Sequence, residues 1–206
     1  MKKIIKKYSN LIEESRWWVK LSFFIFLAAI FSGIVTFFFR DLPFLSVILN
    51  SLSKISELAK EAKAQDAFGR FLIIYKNNIL SMIMILYGGI ILGIFTVIGL
   101  FTNGMLLGFF SFLLLFANLP FFSKAVLLLL VVPHGILELS LLVIASAWGI
   151  KLGTEHLLPK SKGKRISIFL NNLRNSFFVL LFLAIGLSIA AAIEVLDMKI
   201  AEILVR

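Results

Sequence analysis

The chain has no cysteine, two histidines and four prolines, and no charged residue falls between Lys76 and Lys124. The missing thiols exclude disulfides, thiolate metal sites and a cysteine nucleophile, and leave the redox compartment undetermined. A catalytic metal takes at least three protein ligands, and two histidines go little way towards that. No GxSxG, HExxH, Walker or Rossmann pattern occurs, so an enzyme is not expected. Charge as a whole is scarce. Asp, Glu, Lys and Arg make up 16% of the chain against 60% hydrophobic residues, and a mean hydropathy of +1.02 belongs to an integral membrane protein.

What is present is a series of apolar runs of helical length. About 20 residues of α-helix cross a hydrocarbon core, and the alternating ten-residue strands of a barrel are absent. The expected fold is therefore an all-α polytopic membrane bundle of five transmembrane helices with an amphipathic external helix. The spans are placed at residues 21–39, 79–100, 104–119, 124–150 and 177–196, joined by an external loop over 40–76 and a cytoplasmic loop over 151–176. Residues 1–20 form a basic N-terminal segment that resembles a secretory signal in charge, but the run behind it is long and ends in FFFRD. It reads as a retained first span with Trp17 and Trp18 at the interface.

A net charge of +10 would suit nucleic acid if it were clustered on a soluble face. Here the basic residues border the spans. Lys2, Lys3, Lys6, Lys7, Arg16 and Lys20 precede the first. Lys151, Lys160, Lys162, Lys164, Arg165 and Arg174 stand between the fourth and fifth. Five spans put both groups on one side, which the positive-inside rule makes cytoplasmic, with the C-terminus external. The expected partner is anionic lipid at the cell membrane rather than nucleic acid.

Smaller signals mark the connections. Residues 1–16 alternate Lys with apolar residues as a short interfacial helix would. Arg40 to Pro43 marks the exit of the first span. Leu52, Ile55, Leu58 and Ala62 recur at helical spacing with Lys54, Glu57, Lys60, Glu61 and Lys63 on other faces, and Gly69 is a plausible stop. Gly89 and Gly93 form a GxxxG that permits close packing within the chain or in a homodimer. Asn103-Gly104 reads either as the turn between the second and third spans or as a polar residue lining an internal cavity. Ser123 is the expected cap of the next helix. From Lys124 to Lys151, about 27 residues would make about 40 Å of helix against a core of about 30 Å. Pro133, with Gly135 beside it, is expected to kink or break that helix.

The chemically loaded residues sit there. His134 and Glu138, at i and i+4, share one helix face in the middle of an apolar run. An ionised side chain in that position costs roughly 2.5–3.5 kcal/mol by the mildest scale, so it calls for a partner or a function. Three roles fit: a hydrogen-bonded structural pair, a proton or ion pathway, or two ligands of a metal whose further ligands the sequence does not supply. No cofactor is expected.

KNN at 76–78, the glycine-rich second span, TNG at 102–104 with Gly108, and PHGILELS at 133–140 together resemble the stage II sporulation protein M family, from about Phe68 to the C-terminus. The resemblance implies a multispan helical membrane protein with a large first external loop, and a namesake that anchors peptidoglycan-degrading partners during engulfment. It makes Asn103, Gly104, His134, Gly135 and Glu138 motif positions without giving them a mechanism. The first expectation is a membrane scaffold or assembly protein, acting as a homo-oligomer such as a dimer and binding membrane or envelope proteins. The alternative is a small transporter or channel that uses Glu138 and His134 as an ion or proton site.

Overall fold

The computed structural model describes residues 2–39, 44–118, 120–159 and 163–204, the side chains of 2–6, 8–9, 121–123, 125–132 and 204 excepted. Among these residues there are helices and no strand: α1 (Lys2–Phe38), α2 (Phe44–Lys63), α3 (Ala67–Gly88), α4 (Ile94–Phe116), α5 (Phe121–Thr154), a 3₁₀ turn (Glu155–Leu157) and α6 (Arg165–Leu204). Five of them, all but α2, contain stretches long and apolar enough to cross a membrane. The chain is a polytopic helical membrane protein. The expected exit at Arg40 to Pro43, together with Lys160 and Lys162, lies outside the described residues.

Several boundaries differ from the sequence expectation. The second and third spans, placed at 79–100 and 104–119, are Ala67–Gly88 and Ile94–Phe116. The turn between them is the run Gly89 to Gly93, where Leu92 and Gly93 adopt φ of 54° and 75°. Gly93 tolerates that left-handed conformation because it has no Cβ. Asn103-Gly104 is no turn but lies within α4, where the Asn103 amide donates to the Gly99 carbonyl at 2.8 Å. The helix itself absorbs the polar side chain there.

The other connections are shorter than expected. α3 begins at Ala67 behind an Asp66 cap, whose carboxylate accepts from the Gly69 backbone N–H at 2.7 Å. Gly69 therefore opens α3 rather than stopping α2, and the external loop does not extend to 76. The N-terminal segment is not a separate interfacial helix, because α1 runs without interruption from Lys2 into the first span. Likewise α5 and the 3₁₀ turn carry the chain to Leu157, and α6 starts at Arg165. The connection expected over 151–176 shrinks accordingly.

α5 also begins before Ser123, with Pro120 at its cap, and continues through Pro133 without a break. At 34 residues it is about 51 Å long. α5 is the hub of the bundle, packed along α1, α3, α4 and α6. Where α3 turns into α4, Gly89 meets the backbone of Gly149 and Gly153, so a Cβ on any of the three would enter another helix's main chain. Leu86, Leu100, Leu152, Leu183 and Leu187 are fully buried within the bundle. Large apolar side chains such as Phe24, Phe31, Met84 and Phe177 point outward, as the lipid-facing side of a membrane protein requires.

Candidate functional site

Helical periodicity puts His134 and Glu138 on one side of α5, facing α3 and α6, but the two side chains do not bond to each other. His134 Nδ1 is 3.0 Å from Asp197 Oδ2 of α6. Glu138 accepts a hydrogen bond from the Asn78 amide of α3, at 2.5 Å to Oε1. Asn78 stands midway along α3, so the carboxylate is tied to the middle of a spanning helix. Three helices are joined through two polar pairs.

A further carboxylate completes the cluster. Glu194 precedes Asp197 by one turn of α6, lies within electrostatic reach of Glu138, His134 and Asp197, and has no hydrogen-bond or ion-pair partner among the described residues. Three acids thus face one histidine. Neither Glu194 nor Asp197 stands out in the sequence, because AAIEVLDMKI reads as the polar end of the last apolar run. Their i, i+3 spacing on one helix face was the available signal, matching the i, i+4 pair of α5.

These groups open into a cavity of about 450 Å³ lined by parts of α2 to α6. Asn77, Asn78 and Ser81 line it from α3, Thr102 and Asn103 from α4, and Ser51 and Lys54 from α2. Asn103 thus lines the same cavity as Glu138, although its amide is spent on its own helix. Gly104 contributes no chemistry. It lies against Phe26 and Ala29, and with Gly108 and Gly33 lets α1 and α4 approach backbone to backbone. Gly135 has nothing within 4 Å of where its Cβ would be, and Pro133 is exposed, so neither forms a wall of the site.

The arrangement can hold polar groups in an apolar bundle and can receive a cationic or hydrogen-bonding guest. Among the described residues no three His, Cys, Asp or Glu side chains converge closely enough to hold a metal ion.

The family model described as Stage II sporulation protein M matches residues 22–196. No curated protein and no solved structure matches the chain. The match reaches into all five apolar helices and takes in Asn78, His134, Glu138 and Glu194, ending one residue before Asp197, and the chain belongs to the Stage II sporulation protein M family.

Proposed function

We propose that this member of the Stage II sporulation protein M family is a non-catalytic scaffold of the cell membrane that anchors partner proteins and acts as a homo-oligomer. One observation carries the reading. α2 is fixed to the bundle by its apolar side, with Ile48 fully buried against Met105 and Phe109 and with Leu45 and Leu52 beside it. Its Lys54, Glu57, Lys60, Glu61 and Lys63 are exposed. A helix clamped by one face and charged on the other is preorganised for docking, since little conformational freedom is left to lose on binding. Within this reading the polar pairs are ties between helices.

Photo-crosslinkers at Ser56 and Lys60, exposed beside Glu57 and Glu61, with a lipid-facing control at Phe24, test it in cells. Scaffolding by α2 requires a discrete adduct at the first two positions that is lost when Glu57 and Glu61 are changed to Lys, and is kept in Glu138→Gln. An adduct indifferent to the charge reversal, or none at either position, refutes it.

A second reading, a transporter or channel, is favoured by the polar cavity and by Glu194, which has no hydrogen-bond or ion-pair partner among the described residues. It requires cation or proton flux in liposomes that Glu138→Gln or Glu194→Gln abolishes, and flux equal in wild type and both variants removes it.

A further inference from the structure

The bundle has a second concavity, away from the polar cavity, between the early turns of α1 and the part of α6 around Val179 and Phe182. α1 and α6 both lie along α5, and a groove of about 290 Å³ opens between them. Leu11, Ile12 and Ser15 of α1 form one wall, Trp148 of α5 the floor, and Val179 and Phe182 of α6 the other wall. Its one hydroxyl is turned away from any guest, since Ser15 Oγ donates to the Leu11 carbonyl at 2.7 Å. The lining asks for hydrocarbon.

One end of the groove is basic. Lys7 precedes Leu11 by one turn on the same stripe of α1, and its Nζ sits 3.2 Å from the centroid of the Phe178 ring on α6. Arg174 precedes Phe178 by one turn, is exposed, and makes no ion pair among the described residues. The neighbouring Lys151 is already answered, at 3.8 Å from Glu14 and 3.9 Å from Glu155. Lys7 thus stands beside Phe178 and Arg174 one turn of α6 before it, a cation from each wall, and neither makes an ion pair among the described residues.

We propose that this groove binds one anionic phospholipid, with part of an acyl chain along Leu11 to Phe182 and the headgroup phosphate between Lys7 and Arg174. From Leu11 to Val19 the α1 wall rises about 12 Å, under half of a core of about 30 Å, so only the proximal part of one chain is enclosed. The Phe178 ring holds the Lys7 ammonium at the rim, which leaves less side-chain freedom to lose when the phosphate arrives. A zwitterionic lipid brings a second ammonium to the same rim and forfeits the charge match. The groove therefore selects net negative headgroups. A basic residue near an anionic surface contributes about fivefold, so two together give roughly 30-fold.

The full-length protein, purified in mild detergent and exposed to phosphatidylglycerol and phosphatidylcholine of the same chain length, is compared by native mass spectrometry. Wild type is expected to retain phosphatidylglycerol preferentially, and Lys7→Ala with Arg174→Ala to reduce that preference by roughly 30-fold. Lys7→Arg with Arg174→Lys keeps it, as does Lys60→Ala with Lys164→Ala, which removes exposed cations elsewhere. Ile12→Trp, projecting into the groove, lowers retention without removing a charge. Only variants that match wild type in elution volume and thermal transition are compared, and the charge-keeping pair supplies a folded reference. Equal retention of the two lipids by wild type, or an undiminished preference in the alanine pair, overturns the proposal. So does disulfide dimerisation of Ile12→Cys that added phosphatidylglycerol does not weaken, because a second copy then fills the groove.

Discussion

His134 and Glu138 share a face of α5 and serve different neighbours, Asp197 on α6 and Asn78 on α3. That division predicts which pairs are energetically coupled. Interhelical hydrogen bonds in membrane bundles couple by about 0.6 kcal/mol on average and about 1.7 at most. Double-mutant cycles for Asn78→Ala with Glu138→Ala, and for His134→Ala with Asp197→Ala, should fall in that range when unfolding is followed by steric trapping. The His134 and Glu138 cycle should be smaller than both, and a larger value there would restore the direct pair that the sequence favours. Asn78→Leu should cost more than Glu138→Gln, roughly 1–3 kcal/mol, because it leaves a carboxylate without its donor while Gln keeps a partner for the amide. The polar half on α5 was legible because a charge in an apolar run is conspicuous. The half on α6 was not, because Glu194 and Asp197 sit where an apolar run fades and pass for an interfacial end.

At the scale of elements, local turn and break signals do not set the helix boundaries of this bundle. Asn103-Gly104 stays helical because Asn103 bonds to Gly99 and Gly104 is pressed against Phe26 and Ala29. The true turn uses Gly93 at positive φ and the backbone contact of Gly89 with Gly149 and Gly153, a tertiary reason invisible in local spacing. α5 also passes through Pro133, although that residue is exposed and Gly135 beside it is open. Opposite outcomes follow for two glycines. Gly153→Val should destabilise by about 1–3 kcal/mol or prevent folding, since the added atoms meet main chain. Gly135→Ala, in open helix, should stabilise by up to about 1 kcal/mol. Thermal unfolding in detergent separates them, and a loss of stability in Gly135→Ala would mean that α5 needs a hinge there.

Five spanning helices fix a relation between distant parts of the whole molecule: the start of α1 and the connection before α6 share one side, whereas α2 and the end of α6 share the other. The ion pair between Arg70, at the start of α3, and Glu202, near the end of α6, at 2.7 Å, agrees with that arrangement. So does the meeting of Asn172, early in α6, with Glu155 after α5, at 2.9 Å. The positive-inside rule then predicts the orientation, with the Lys- and Arg-rich side cytoplasmic. Because the chain has no cysteine, single exposed substitutions report sidedness without background. Asn10→Cys and Lys164→Cys should resist a membrane-impermeant maleimide in intact cells and react after permeabilisation, whereas Lys60→Cys and Ile203→Cys should react at once. Uniform inversion of all four would keep the bundle and reject the charge rule for this chain. Lys60 labelling with the same sidedness as Lys164 would instead reject the five-span count, and with it the placement of α2 as a docking helix opposite the basic groove.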